Sequence, residues 1–105
     1  MASELKFNEE KAGDITKISL SGEVDIYTSQ NLKEKLYDVI DSTRSDLYID
    51  CRKLDYIDSM GLGILIGALK KSKQNNNNIY LSGLKENIKK LFLITGLDKL
   101  FILEE

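Results

Sequence analysis

The segment that most constrains this chain is a run of six residues, Asp58-Ser59-Met60-Gly61-Leu62-Gly63. It follows an apolar, strand-like stretch, Leu47-Tyr48-Ile49 with Cys51, and a turn region over residues 52–57. It opens a helix-period segment from about Met60 to Lys73 that is apolar nearly all round. A buried strand delivering the chain into a helix is the repeating unit of an α/β fold. The joint sets a hydroxyl at a helix N-terminus, with a carboxylate beside it and glycines behind it. Unpaired N–H groups and partial positive charge at such an end receive an anion such as a phosphate.

The rest of the pattern extends this unit. Leu5-Lys6-Phe7 reads as a first strand, Ala12-Gly13-Asp14 as a turn, and Ile15, Ile18 and Leu20 as a second strand closed by Ser21-Gly22. Together they predict an antiparallel N-terminal hairpin. Thr28 is a good N-cap for a helix over 29–41, with Leu32, Leu36, Val39 and Ile40 as its apolar stripe. Asn75 to Asn78 read as an exposed loop, and Ile79-Tyr80-Leu81 as a short strand before Ser82-Gly83. Glu86 to Leu93 is helical, with Ile88, Leu91 and Phe92 facing inward and Gly96 as its C-cap. Leu100 to Leu103 is a final strand or helix end. The order is ββαβαβα(β), an α/β domain with a mixed sheet of four to five strands packed with amphipathic helices. Ligands on such sheets bind near strand C-terminal ends and helix N-termini, where Asp25, Tyr27 and Ser59 fall.

Composition excludes several function classes. A chain of 105 residues makes one domain, and 42% hydrophobic with 30% charged residues predicts a globular one. A net charge of -2 argues against nucleic-acid or anionic-membrane binding by bulk charge. Histidine is absent, which removes the commonest general base and metal ligand. The single cysteine, Cys51, cannot form an intrachain disulfide and reads as a small buried residue. Met1 to Lys11 shows no signal region, and no apolar run approaches the roughly 20 residues of a membrane span. A cytoplasmic setting follows as the expectation.

The helix after Ser59 breaks two patterning rules. Leu62, Leu65, Ile66 and Leu69 make one stripe, while Met60 and Ile64 lie off it, with partial exposure expected. It also holds Gly61, Gly63 and Gly67, each costing about 1 kcal/mol relative to alanine in a helix interior. Ser59, Gly63 and Gly67 are spaced i, i+4, i+8 and line one face. Two readings stand side by side: an open surface for another protein's backbone, or close packing within the domain. Ser59 has a double reading too. Serine is a preferred N-cap, Asp58 could serve in the same way, and a capping serine is still open to phosphorylation.

Catalytic alternatives lack support. Gly61-x-Gly63-x-x-x-Gly67 departs from a dinucleotide fingerprint at its third glycine, and no phosphate loop is present. Ser59 has no histidine to activate it. Asp25, Asp55 and Asp58 are candidates for a carboxylate cluster, though acidic loop residues are more often solvated turns. No catalytic residue, metal site or cofactor is expected.

With these parts assembled, the chain resembles the anti-sigma factor antagonists, small single-domain bacterial STAS proteins. Residues 21–28 (Ser-Gly-Glu-Val-Asp-Ile-Tyr-Thr), 56–63 (Tyr-Ile-Asp-Ser-Met-Gly-Leu-Gly) and 93–101 (Leu-Ile-Thr-Gly-Leu-Asp-Lys-Leu-Phe) carry the resemblance. It implies one STAS domain over 1–105. The unmodified protein would bind an anti-sigma factor serine kinase and free a sigma factor for transcription. The kinase would phosphorylate Ser59, and a metal-dependent serine phosphatase would reverse the step. Asp25 matches a family aspartate beside the phosphoserine. The expected partner surface is Asp25, Tyr27, Thr28, Asp58, Ser59, Met60, Gly61, Gly63, Ile64 and Gly67, on a monomer. Met60 departs from the small or hydroxyl residue common there. The alternative is a STAS subunit of a transport or scaffold complex without phosphorylation; the full Asp-Ser-x-Gly-Leu-Gly run favours the first reading. The triggering signal, whether stress, sporulation or another, stays open.

Overall fold

Gly13 turns the chain at φ +65° between strands β1 (Leu5–Ala12) and β2 (Ile15–Val24), which pair antiparallel as the expected hairpin. The computed structural model describes residues 4–105, so the sequence reading of Met1 to Ser3 as free of a signal lies outside the described residues. The chain continues through α1 (Ser29–Thr43), β3 (Leu47–Ile57), α2 (Ser59–Gln74), β4 (Ile79–Ser82), α3 (Glu86–Thr95), a 3₁₀ turn (Leu97–Lys99) and β5 (Ile102–Glu104). The five strands lie in the order β1-β2-β3-β4-β5; β2 to β5 are parallel, and the sheet is mixed as expected.

Each parallel step moves the same way along the sheet. Right-handed crossovers therefore put α1, α2 and α3 on one face. Strand burial agrees. Ile18, Leu20, Leu47, Ile49, Cys51, Ile79 and Leu81 are buried, whereas Lys17, Ser19, Tyr48, Asp50, Tyr80 and Ser82 alternate with them on the less covered face. The core closes with Leu32, Leu36, Val39 and Ile40 from α1, and Leu62, Leu65, Ala68 and Leu69 from α2. Ile88 and Phe92 from α3 complete it, with the Phe92 ring packed edge-on against Phe101 at 5.8 Å between centroids.

Several elements differ from the sequence reading. β2 does not stop at Ser21-Gly22 but runs on to Val24. Gly22 sits at φ +109°, and a Cβ there would lie 2.2 Å from the Glu4 carbonyl oxygen, so the glycine lets β1 approach. Residues 52–57 are not a turn but the second half of β3. Two register shifts against β2, between Ser19 and Ser21 and between Gly22 and Glu23, each leave an extra residue on β3. These bulges break the alternation that would have marked the strand. In α2, Ile66 is only half-buried, and Ala68 and Ser72 join the buried stripe instead. The asparagine loop is tied at its end, where the Asn78 N–H donates to Asp46 Oδ1 at 2.8 Å and the Asn78 carbonyl accepts from Leu47 N–H at 3.0 Å. In the 93–101 block Gly96 ends α3 at φ +77° and Leu97 and Phe101 are buried, whereas Leu93, Ile94 and Leu100 are exposed.

Candidate functional site

β2 and β3 end together, with Val24 opposite Ile57, so the two segments that follow are neighbours. The Asp58 N–H donates to the Val24 carbonyl at 3.2 Å and fixes the joint. One segment carries Asp25 to Thr28 into α1, and the other carries Asp58 and Ser59 into α2. The paired ends of parallel strands thus bring both groups of expected residues to one place, at two helix N-termini.

Asp58 caps α2. Its backbone is extended (φ −101°, ψ −176°), and its Oδ1 accepts from the Gly61 N–H at 3.0 Å. Ser59 is therefore the first helical residue and not the cap, which settles one of the two readings above. Its side chain is exposed and hydrogen-bonds to no other described residue. The N–H groups of Ser59 and Met60 also have no backbone or side-chain acceptor among the described residues. A hydroxyl beside two open N–H groups at the positive end of a helix is suited to carrying an anion.

The neighbouring turn is built by Asp25. Its Oδ1 accepts from the N–H groups of Tyr27 (2.9 Å) and Thr28 (3.2 Å), and its carbonyl accepts from the Ser29 N–H at 2.8 Å. Thr28 stands at the N-cap position of α1 but in a helical conformation, without a capping side-chain bond, contrary to the sequence reading. Its Oγ1 instead donates to the Glu23 carbonyl at 2.8 Å and accepts from the Asp25 N–H at 3.0 Å. This bracing holds Ile26 and Tyr27 outward, 61% and 78% exposed. Met60, 50% exposed, bridges the two segments: buried Ser29 donates its hydroxyl to Met60 Sδ at 3.2 Å. Ile26 and Ser29 are not among the partner residues expected from the sequence, although Ile26 lies within the 21–28 motif. A single isoleucine in a polar turn has no periodicity, and nothing near Ser29 announces a bond across 31 residues.

The three glycines divide. A Cβ on Gly61 would lie 2.6 Å from side-chain carbons of both Ile57 and Val24, so that glycine serves internal packing and is itself buried. A Cβ on Gly67 would lie 2.2 Å from the Tyr37 hydroxyl, so Gly67 lets α2 accept α1. Around Gly63 nothing lies within 4 Å, and it is exposed. The open face headed by Ser59 thus extends to Gly63 and half-buried Ile64, while Gly67 faces α1.

The possible carboxylate cluster does not form: Asp55 is ion-paired with Lys85, and no three acidic, cysteine or histidine side chains converge on a metal-sized site among the described residues. Cys51 is buried in β3, and burial pushes its thiol up to about 12. No helix among the described residues is long and apolar enough to cross a membrane.

The STAS domain family model matches residues 6–105, and the chain belongs to that family. Its place within the family is with the anti-sigma factor antagonists. The chain is 37% identical over 92 residues to the anti-sigma-B factor antagonist of Staphylococcus epidermidis, spanning 88% of this chain and 85% of that one. Its counterpart in Staphylococcus aureus is 36% identical over 89 residues, spanning 85% and 82%. Among solved structures, an anti-sigma factor antagonist from Mycobacterium paratuberculosis superposes with a TM-score of 0.81 at 27% identity, over 96% of this chain and 86% of that one. The phosphorylated form of the Bacillus cell-fate determinant SpoIIAA shares the fold, with a TM-score of 0.73 at 20% identity over 93% and 90%.

Proposed function

We propose that this chain is a cytoplasmic anti-sigma factor antagonist switched by phosphorylation of Ser59. In the unmodified state it binds an anti-sigma factor serine kinase and so releases the sigma factor; a serine phosphatase restores it. It acts as a monomeric single domain over 1–105, as a binding protein without catalysis or cofactor. The observation that carries this reading is the state of Ser59: exposed, relieved of capping by Asp58, and on a segment that starts from a strand end paired with the one leading to the outward-held Ile26 and Tyr27. The names of the relatives support the antagonist role over a transport or scaffold subunit.

The switch follows from charge. A phosphate on Ser59 adds roughly −1.5 to −2 charge at a helix N-terminus. Within the domain the open N–H groups and the helix dipole favour that charge, so the fold survives. Across an interface, the desolvated phosphate meets the partner's groups while Asp25 and Asp58 repel it, so affinity falls. We assign the partner surface to Asp25, Tyr27, Asp58, Ser59, Met60, Gly63 and Ile64; Thr28, expected there from the sequence, is buried with its hydroxyl held by Glu23 and Asp25, and braces the turn instead. Gly61 and Gly67 support it from below and beside.

The test is intact mass after incubation with ATP and the kinase of the same organism, wild type beside Ser59→Ala. One added phosphate on the wild type and none on the variant is the expected result. No phosphate on either, with a kinase active on another substrate, would favour the transport or scaffold reading.

A further inference from the structure

We propose that Met60 is an oxidation-sensitive contact of the Ser59 surface, at which conversion of the thioether to its sulfoxide lowers affinity for the partner kinase. This rests on the partner reading above and adds a second control to the same site.

Two observations outside that reading carry it. First, the sulfur atoms of the described residues differ sharply in access. Cys51 is buried, and its thiol is held far from ionisation, so it offers little thiolate to an oxidant. Met60 is half-exposed and needs no deprotonation to react. Second, Met60 Sδ is not a passive surface atom. It accepts the hydroxyl proton of Ser29, a residue only 4% exposed at the start of α1. The sulfur therefore links the first turns of both helices that frame the site, with Ser59 as its chain neighbour.

The chemistry balances with a peroxide as oxidant. The sulfur lone pair attacks one peroxide oxygen, the O–O bond breaks and an S–O bond forms. Sulfur is oxidised by two electrons and each peroxide oxygen is reduced by one; the second oxygen leaves as hydroxide, takes up the proton of the transferred oxygen and becomes water. The product exchanges a weak, polarisable acceptor for a strongly polar oxygen. The sulfoxide oxygen takes over the Ser29 hydroxyl or faces the partner. Either way a polar group replaces an exposed apolar one on the surface that also carries exposed Ile26 and Tyr27, and it must be desolvated on binding. Methionine sulfoxide reductases restore the thioether, so the step is reversible.

The experiment uses the full chain, treated or not with hydrogen peroxide, with oxidation at Met60 read by peptide mass and affinity for the kinase by calorimetry. Met60→Leu goes through both arms, and the readout is each protein's ratio of treated to untreated Kd. We expect Met60 to gain one oxygen, the wild-type ratio to rise about tenfold, and the Met60→Leu ratio to stay at one. Reductase treatment should return the wild-type Kd. The proposal is overturned if Met60 resists peroxide that oxidises N-acetylmethionine in the same tube. It is overturned equally if oxidised Met60 leaves Kd unchanged, or if Met60→Leu loses affinity to the same extent. If untreated wild type does not bind the kinase, the partner reading fails and takes this inference with it. That outcome is distinguished from the others by the untreated arm alone.

Discussion

Asp58 and Ser59 are adjacent polar residues with different tasks, and single substitutions should separate them. Asp58 accepts the N–H of buried Gly61, so Asp58→Ala removes the α2 cap and costs about 1 kcal/mol. Urea denaturation should show the midpoint falling with an unchanged slope. Ser59→Ala removes a hydroxyl that bonds to no described residue, so its unfolding free energy should stay within about 0.5 kcal/mol of wild type. Equal losses in the two variants would mean that Ser59 shares the capping. The sequence could not decide between them, since aspartate and serine are both favoured caps and the choice depends on which residue takes the extended backbone. Asp25 and Thr28 show the same limit. The sequence places both at the candidate site, but the Asp25 carboxylate receives the N–H groups of Tyr27 and Thr28, while the threonine hydroxyl receives that of Asp25 and caps no helix.

At the scale of elements, α2 holds the clearest contrast between what spacing can and cannot reveal. Its glycines were visible, and so was their shared face, but whether a glycine faces solvent or a neighbour depends on the element beside it. Val24 and Ile57 crowd Gly61, Tyr37 meets Gly67, and nothing meets Gly63. The same substitution two residues apart should therefore change sign. Gly61→Ala forces a Cβ into packed core side chains and should destabilise by about 1–3 kcal/mol. Gly63→Ala adds a methyl to open space in a helix and should stabilise by about 0.5–1 kcal/mol. If Gly63 lies in the partner surface, that more stable variant should bind the kinase less well, which calorimetry on the pair would reveal. Tighter binding by Gly63→Ala would remove Gly63 from the interface. β3 shows another form of illegibility. Its first half alternates and was read as a strand, whereas two bulges shift the inward positions of its second half to Leu54 and Ile57, a spacing that imitates a turn region.

For the whole molecule, the order of elements was legible because the apolar period switches between two and about 3.6 along most of the chain, the bulged half of β3 excepted. The exact sheet was less so, since pairing is decided by contacts far apart in sequence. The strand order concentrates burial on one face, and Cys51 lies there at the middle of the sheet. This placement predicts an alkaline limb to the stability curve. Burial raises the folded thiol to about 12, whereas an unfolded cysteine ionises near about 8.5. Below the unfolded value both states hold the proton, and the contribution is fully present. Above it the unfolded state releases a proton that the folded state keeps, so stability falls by about 1.4 kcal/mol per pH unit until the folded thiol also ionises. Tyrosines and lysines titrate in this range too, so the informative quantity is a difference. Cys51→Ala should be less stable than wild type near neutral pH, because it leaves a small cavity. That gap should close, and then reverse, as urea midpoints are followed from pH 8 to pH 11. Parallel curves for the two proteins would mean that the folded thiol ionises as readily as the unfolded one, and that the middle of the sheet is open to water.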